Sequence, residues 1–235
     1  NPYFKLYENK FIIGKSSQEK ENFDVLIFCV RDIKEVVIPS FIEIISPYAF
    51  QCCEKLRKVE IVKYSKLRII DRYAFQYTSI ESIKIPSNLT QIGSFTFSSI
   101  EKLQRVEIPT DSNLQIIEKC AFSKASIRNI SIPRKLKKID QESFNDCKYL
   151  RYVEIPANSE LQMIDDDAFI FSGIKCFYFP KHLTNLGDYA FNKCNNLAII
   201  ELDEDSEMNI NEQLKKLPLG LIIMIPIEVV NRNKL

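Results

Sequence analysis

Apolar and polar positions alternate in a short phrase that returns along most of the chain. In Leu103–Ile108, "LQRVEI", apolar residues stand at positions 103, 106 and 108, with polar residues between them. The end of this phrase has period two, which is the spacing of side chains on one face of a β-strand. The phrase recurs as "LRKVEI", "IESIKI", "IRNISI", "LRYVEI", "IKCFYF" and "LAIIEL". Strands repeated in one orientation predict a parallel sheet whose neighbours lie about 4.8 Å apart.

Proline and phenylalanine mark the length of the repeat. Proline has no N–H and therefore stops the strand ladder; it ends the phrase at Pro39, Pro86, Pro109, Pro133, Pro156, Pro180 and Pro226. Val62 and Asp203 fill the two places where proline is missing, so that successive steps are 23 or 24 residues. A phenylalanine keeps a fixed place within the repeats, at Phe50, Phe75, Phe97, Phe122, Phe144, Phe169 and Phe191. The two step lengths alternate to give a period of 47 residues, and a strict period of about 20–50 residues indicates a solenoid.

One repeat corresponds to one coil of this solenoid. A single coil cannot bury its own apolar face, so only the stacking of coils closes the core. We expect the seven phenylalanines to stack inside as a column, each contributing roughly 1.5–3 kcal/mol through burial. The segment around each phenylalanine is too short for a long helix and is predicted to form a helical or 3₁₀ turn on the convex side. Nine parallel strands in one continuous sheet would span about 38 Å.

The segments "LTQIGSFTFSSIEKLQRVEIP" and "LTNLGDYAFNKCNNLAIIEL" resemble leucine-rich repeats of the BspA type, whose pattern is roughly LxxIxxxAFxxCxxLxxIxIP. The resemblance runs from about Ile33 to Leu202, with departures at Val62, Thr96 and Ser143. It implies a β-rich α/β solenoid: a right-handed leucine-rich repeat superhelix with a parallel sheet on one face and short helical or 3₁₀ turns on the other. It also implies cell-surface adhesion or host-protein binding, because the family occurs in bacterial and protozoan surface proteins and is abundant in trichomonad surface antigens.

The repeat boundaries divide the chain into three predicted parts. Residues 1–32 form an irregular, β-rich N-terminal cap or insert, with strands around a turn at Glu8–Lys10 and a further strand within Asn22–Val30. Residues 33–202 form the repeat array. Residues 203–235 form a degenerate C-terminal capping repeat, in which "LGLIIMIPIEVV" (Leu219–Val230) keeps Pro226 but lacks the Ala-Phe pair.

Composition narrows the classes of partner. The chain has 32 basic and 31 acidic residues and a net charge of +1, which gives no electrostatic support for binding nucleic acid or an anionic membrane. Its longest apolar run is 12 residues, with a proline and a glutamate inside, whereas a membrane-spanning helix needs about 20. We therefore predict no membrane insertion of this segment. With only 5 glycines, glycine-rich phosphate-binding loops are not expected.

No set of residues predicts catalysis, a metal or a cofactor. Cys53, Cys147 and Cys194 lie three residues after a repeat phenylalanine, in a slot that other coils fill with small or apolar side chains, as suits a buried free cysteine. Consecutive repeats do not both carry cysteine there, so no disulfide between neighbouring coils is expected, and the cysteine spacing does not suit zinc. His182 is the only histidine and has no nucleophile or base partner in the sequence. The acidic segment "DEDSE" at 203–207 lacks the ligand spacing of a calcium loop.

The outward positions of the sheet form two predicted columns of side chains. One column is Val37, Glu60, Lys84, Glu107, Ser131, Glu154, Tyr178 and Glu201, and the other is Glu35, Lys58, Ser82, Arg105, Asn129, Tyr152, Cys176 and Ile199. They are explained either as a self-compensating charge ladder that keeps the array soluble or as a concave recognition surface. Tyrosine and arginine commonly anchor interfaces. The candidate partner-binding residues are therefore Lys58, Glu60, Lys84, Arg105, Glu107, Tyr152, Glu154, Tyr178, Ile199 and Glu201.

The leading functional hypothesis is a non-catalytic binding module at the cell surface or secreted, which engages a protein or glycan on another cell or on the matrix. One alternative is a structural spacer in a long ectodomain. Another is an intracellular, cytoplasmic scaffold for protein–protein interaction. If the protein is secreted, the sequon Asn88-Leu-Thr90 is a candidate glycosylation site, because Asn88 falls in the turn after a strand.

Overall fold

The recurring phrase forms strands in a computed structural model, which describes residues 3–224. Nineteen strands occur in that range: β1 (Phe4–Tyr7), β2 (Phe11–Gly14), β3 (Val25–Cys29), β4 (Glu35–Ile38), β5 (Ile44–Ile45), β6 (Lys58–Ile61), β7 (Ile69–Ile70), β8 (Ser82–Lys84), β9 (Gln91–Ile92), β10 (Arg105–Glu107), β11 (Ile116–Ile117), β12 (Asn129–Ser131), β13 (Lys138–Ile139), β14 (Tyr152–Glu154), β15 (Met163–Ile164), β16 (Cys176–Phe179), β17 (Asn185–Leu186), β18 (Ile199–Leu202) and β19 (Ile222–Met224). The helical elements are one helix, α1 (Ile210–Gln213), and the 3₁₀ turn that follows it (Leu214–Lys216). The chain is a β-solenoid of about nine coils.

The strands that carry the repeated phrase pair in parallel. β4, β6, β8, β10, β12 and β14 are neighbours in a six-stranded sheet, the front sheet. Arg105 is opposite Ser82 on one side and Asn129 on the other, and Asn129 is opposite Tyr152. The outward residues of each predicted column therefore lie side by side within this sheet.

The predicted continuous sheet of nine strands is interrupted. β16, β18 and β19 form a separate C-terminal sheet, and β14 has no ladder partner in β16. At this joint the N–H of Gly173 donates to Cys147 O at 3.1 Å, whereas the N–H of Ser79, at the same place four coils earlier, donates to Leu56 O. A Cβ built on Gly173 would lie 2.2 Å from Lys148 O. Gly173 thus lies directly against the backbone of the preceding coil, and β14 and β16, which flank it, do not pair as a ladder.

A second prediction, that the convex side carries helical or 3₁₀ turns, is wrong. It carries a back sheet in which β5, β7, β9, β11, β13, β15 and β17 run parallel. Between the back sheet and each return to the front, the segment around the repeat phenylalanine makes tight turns. The residues two before and two after each phenylalanine have left-handed backbone angles; they are Tyr48, Cys52, Tyr73, Tyr77, Phe95, Ser99, Cys120, Lys124, Glu142, Asp146, Asp167, Phe171, Tyr189 and Lys193, with φ between 54° and 62°.

These left-handed residues explain why no helix forms. In the coil of Phe122, Ser123 N–H bonds within its own turn to Cys120 O at 3.1 Å. The N–H groups of Phe122 and Lys124 instead bond to Ser143 O and Asn145 O of the next coil, each at 2.8 Å. A right-handed helix directs every N–H along its own axis. The left-handed residues on either side of each phenylalanine interrupt any helical path, so that every second N–H group bonds to the neighbouring coil and joins the coils on the convex side as well.

The interior contains the predicted column of phenylalanines. All seven repeat phenylalanines are fully buried. Successive rings lie 4.8–5.5 Å apart between centroids, with interplanar angles of 3–13°. Such offset-stacked aromatic pairs contribute about 0.5–1.5 kcal/mol each beyond the burial of their area. This phenylalanine stack continues past the interruption between β14 and β16, because Phe144 and Phe169 remain 5.1 Å apart.

The two ends of the array differ. β1 and β2 form an antiparallel hairpin through a turn in which Glu8 and Asn9 are left-handed, and β3 joins this hairpin to β5 of the back sheet. Phe11 packs edge-on against Phe50 at 6.4 Å and covers the first ring of the stack. At the other end β19 pairs in parallel with β18. Pro226, which was predicted to close the last repeat, lies outside the described residues.

The left-handed positions give a prediction on stability. Lys124 is exposed and has φ of 61°, a conformation that costs an L-residue about 1–2 kcal/mol but costs glycine nothing. Lys124→Gly should therefore stabilise the protein by about 0.5–1 kcal/mol, after the greater chain entropy of glycine is counted. Lys102→Gly is the control, because Lys102 is also exposed and its φ is not positive. Urea denaturation should show the two variants shifting in opposite directions; equal destabilisation would contradict the left-handed assignment.

Candidate binding surface

The outward side chains of the front sheet are held by alternation along short strands. Each strand has a buried central residue, such as Val106 in β10, flanked by residues that point out to solvent. Of the predicted partner-binding residues, Lys58, Glu60, Lys84 and Arg105 are exposed and Glu107 is half-buried. These five side chains lie on β6, β8 and β10, which are adjacent in the sheet.

Glu107 gathers two cations at the centre of this surface. Its Oε1 lies 2.8 Å from Arg105 Nε on the same strand, and its Oε2 lies 3.1 Å from Lys84 Nζ on the neighbouring strand. Both cationic side chains remain about three-quarters exposed, so each pair contributes little to stability, at most about 1 kcal/mol. The carboxylate therefore orients two cations while leaving most of their surface available to a ligand.

A cavity of about 990 Å³ opens over the same strands. Its walls include four cationic side chains, Lys63, Lys84, Arg105 and Arg128, and one acidic side chain, Glu107. The apolar residues that end the strands, among them Pro86 and Pro109, form the rest of its edge. The cavity therefore carries local positive charge on a chain whose net charge is only +1.

The sequence columns missed two of these cations. Lys63 follows Val62, which stands where most repeats have proline, and Arg128 precedes the first residue of β12. Both lie just beyond the alternating part of a strand, where period two no longer assigns a side chain to a face. Extending each predicted strand by one or two residues at either end would have included them.

The C-terminal candidates divide between the front sheet and the C-terminal sheet. Tyr152 and Glu154 are exposed on β14, where Ser131 Oγ donates to Glu154 Oε2 at 2.6 Å. Tyr178, Ile199 and Glu201 belong to the C-terminal sheet, beyond the interruption. Tyr178, Ile199 and Glu201 therefore do not share one sheet with the Arg105 cluster, whereas Tyr152 and Glu154 do.

Tyr178 differs from Tyr152 in its polar contacts. Its hydroxyl donates a hydrogen bond to Asp203 within the same chain. Burial, followed by this contact with Asp203, raises the pKa of the Tyr178 hydroxyl above its usual range. The Tyr178 hydroxyl is thus already used inside the protein, whereas the Tyr152 side chain is 49% exposed.

The remaining candidate chemistry is dispersed. His182 Nδ1 lies 3.1 Å from Glu207 Oε1 in an exposed pair. Across residues 3–224, no three side chains of the types His, Cys, Asp and Glu come together in a way that could hold a metal ion. Over the same residues, no helix combines the length and the apolar character that crossing a membrane requires. Asn88 is exposed, and its Nδ2 donates to Ser65 O at 3.1 Å; its glycosylation stays a prediction.

Comparison with known proteins agrees with the leucine-rich repeat pattern seen in the sequence. A family model described as "BspA type Leucine rich repeat region (6 copies)" matches residues 23–127 and 68–198. A leucine-rich repeat protein from Bacteroides ovatus ATCC 8483 is similar in structure, with a TM-score of 0.58 and 22% identity over 87% of this chain and 64% of that chain. This chain thus spans less than two thirds of the length of that protein, and the likeness shows a shared fold.

Two other solved structures align with lower scores. The T. pallidum leucine rich repeat protein aligns with a TM-score of 0.48 and 20% identity over 93% of this chain and 80% of that one. A leucine rich cell surface protein from Faecalibacterium prausnitzii A2-165 aligns with a TM-score of 0.44 and 16% identity over 95% and 92%. Among curated proteins, none matches the chain.

Proposed function

The chain belongs to the BspA-type leucine-rich repeat family, and from this premise we propose that it is a non-catalytic binding module that recognises a partner protein through its front sheet. The family fold generally serves as a binding scaffold, and solenoids use their extended concave surfaces for recognition. The observation that carries the proposal is the cavity over β6–β12, where four cations surround one carboxylate. The complementary partner presents acidic side chains.

The arrangement of charges favours recognition over a simple solubilising ladder. In a ladder, each charge is compensated by a neighbour of opposite sign. Around Arg105, one glutamate serves two cations directly, while Lys63 and Arg128 add further positive charge to the same cavity. Uncompensated cations in a concave site strengthen the local field, which steers an acidic partner and speeds its association.

Display at a cell surface, with adhesion to another cell or to matrix, is part of the proposal. It is supported by family membership, because proteins of this family are often surface-associated. Tyr152, exposed on β14 and two strands from Arg105, extends the proposed interface toward the C-terminal sheet as an apolar anchor.

The test is binding of the purified, fluorescently labelled chain to intact mammalian epithelial cells, measured by flow cytometry. The double variant Lys84→Glu/Arg105→Glu should lower the apparent affinity about tenfold or more, since buried or central charge pairs at interfaces contribute above about 1.5 kcal/mol. Binding of the wild-type chain should weaken as salt is raised, because exposed charges are screened.

The control is Lys124→Glu/Lys148→Glu, which makes the same charge change on exposed residues outside the cavity lining. It should leave binding within about twofold of wild type, since remote surface charges act weakly. Equal loss in both double variants would indicate a general charge effect and contradict the proposed site. Pretreatment of the cells with protease should remove binding, whereas loss on glycosidase treatment alone would indicate a glycan ligand.

Absence of binding would instead favour the structural spacer. In that case the continuous phenylalanine stack, which gives the array a fixed length, would be the functional feature. If the Lys84→Glu/Arg105→Glu variant folds like the wild type and binds with unchanged affinity, the front-sheet cavity is not the binding site.

A further inference from the structure

The N-terminal strands carry an apolar face that points away from the core. Leu6 on β1 is opposite Ile12 on β2, and Ile12 is opposite Phe28 on β3. Phe4 lies two residues before Leu6, so strand alternation places it on the same face. Val30 follows Phe28 by the same interval, just beyond the end of β3. These five residues are between 37% and 61% exposed.

A row of stacked rings continues this apolar face along the convex side. Tyr48, Tyr73 and Phe95 occupy the left-handed position two residues before successive repeat phenylalanines. Their rings stack at 5.1 and 4.8 Å between centroids, with interplanar angles of 8° and 5°. Tyr48 is 41% exposed, and the other two residues are half-buried.

Two arginines connect the apolar face to the stacked rings. The Arg31 guanidinium lies over the Phe28 ring at 4.5 Å, and its Nη2 donates to Tyr48 O at 3.3 Å. The Arg72 guanidinium lies 6.0 Å from the centre of the Tyr48 ring. The exposed face of β1–β3, the two arginines and the three stacked rings thus form one continuous surface, the convex stripe.

The convex stripe is confined to the N-terminal part of the array. At the position of the stacked rings, the next three coils carry Cys120, Glu142 and Asp167. The fold therefore accepts carboxylates at this position and does not require an aromatic side chain there. An apolar surface that folding does not require indicates a contact with another molecule.

The exposed apolar area of the convex stripe matches one side of a dimer interface. Six of its apolar residues are between 37% and 61% exposed, and at roughly 200 Å² for a large side chain they present about 500 Å². An interface of standard size covers about 800 Å² per partner, and homodimer interfaces are about 65% apolar, which also gives about 500 Å².

We propose that the convex stripe is the interface of a twofold-symmetric dimer of this chain. In such a dimer the same patch serves both subunits, and the stripe supplies the aromatic residues and arginines that are enriched at interfaces. A lipid surface fits less well, because a net charge of +1 gives little attraction to anionic headgroups. No residue of the stripe lines the front-sheet cavity, so both cavities of the dimer stay open to a partner.

Sedimentation velocity of the purified chain tests the proposal. We expect a concentration-dependent equilibrium between monomer and dimer with a Kd of about 1 µM or tighter, because interfaces of standard size give µM to pM affinities. A chain that stays monomeric well above this concentration would overturn the proposal. Oligomers that keep growing beyond the dimer would indicate a head-to-tail contact and overturn the twofold symmetry.

The double variant Leu6→Glu/Tyr48→Glu locates the interface. Leu6 is 61% exposed, and Glu142 already occupies the position of Tyr48 in another coil, so we expect this variant to fold. Its Kd for dimerisation should rise about 100-fold or more, because each new charge is buried twice across the twofold axis. An unchanged Kd would show that the dimer forms elsewhere.

Tyr64→Glu/Tyr149→Glu is the matched control. Tyr64 and Tyr149 are 81% and 58% exposed, and neither belongs to the convex stripe. This variant makes the same change in net charge and should keep the Kd within about twofold of wild type, since charges outside the interface are screened. An equal rise in both double variants would indicate general charge repulsion and contradict the proposed interface.

Flotation with vesicles of phosphatidylcholine and phosphatidylserine tests the lipid alternative. The wild-type chain should remain in the soluble fraction. A monomer that floats with the vesicles, together with a Leu6→Glu/Tyr48→Glu variant that does not, would replace the dimer contact by a lipid contact. Neither measurement uses a partner protein, so a failure here is distinct from a failure of the front-sheet hypothesis.

Discussion

Phe122→Ala is expected to destabilise the protein by about 3–5 kcal/mol. The Phe122 side chain is fully buried, and its ring lies 5.3 Å from that of Phe97 and 5.4 Å from that of Phe144. Truncation removes both ring contacts and leaves a cavity. The two neighbouring coils cannot close it, because hydrogen bonds in the front and back sheets hold them in place. Urea denaturation followed by far-ultraviolet circular dichroism measures the change.

Phe171→Ala is the matched control for this variant. Phe171 lies two residues after Phe169, but half of its side chain is exposed, so its removal should cost less than about 1 kcal/mol. A loss below about 1 kcal/mol for Phe122→Ala as well would show that the phenylalanine stack does not hold the coils together.

Gly187→Ala is expected to destabilise by about 2–3 kcal/mol through a different mechanism, overpacking. A Cβ built at Gly187 would lie 2.2 Å from Asp166 N and 2.3 Å from Asp165 C, both backbone atoms of the preceding coil. Backbone cannot rotate away as the end of a side chain can, so the two coils must separate. The hydrogen bond from Gly187 N–H to Ile164 O, now 2.7 Å, should lengthen and exchange its proton faster.

Ser46 provides the comparison for Gly187. It lies four residues before Phe50, as Gly187 lies four residues before Phe191, and its N–H makes the equivalent bond to Leu26 O at 2.9 Å. Because Ser46 already carries a Cβ, Ser46→Ala should change stability by less than about 0.5 kcal/mol. If Gly187→Ala were equally neutral, the close approach between these coils would be disproved.

The repeat itself was predictable because each of its signals has one structural meaning. Period two around Val106 gives a strand, and the recurring phenylalanine gives the stack. With one apolar face per coil, the inward and outward sides of β10 follow directly, and so does the register of Arg105 with its neighbours.

The convex turns could not be predicted from the same signals. Fourteen positions around the phenylalanines are left-handed, yet they are occupied by residues such as Tyr73, Lys124 and Asp146 rather than by glycine. Hydrogen bonds to the next coil stabilise that conformation, and these are tertiary interactions with no local sequence pattern. A short segment rich in ordinary residues therefore resembled a helical turn.

The candidate site was only partly predictable for a similar reason. Arg105, Lys84 and Glu107 followed from alternation, but Lys63 and Arg128 lie beyond the strands. The hydrogen bond from Cys29 N–H to Ala49 O joins an irregular segment to the first coil, so no spacing rule within the repeats includes it. Features at the ends of a periodic structure fall outside its periodicity.

The interruption between Glu154 and Cys176 has a mechanical consequence. After Gly173, β14 and β16 do not pair as a ladder, although Lys175 N–H still donates to Arg151 O, whereas the back sheet continues unbroken through β13, β15 and β17. A solenoid with fewer hydrogen bonds on one side of a joint bends about the side that keeps them. Under tension along its axis, the array should flex at this joint and begin to unravel there.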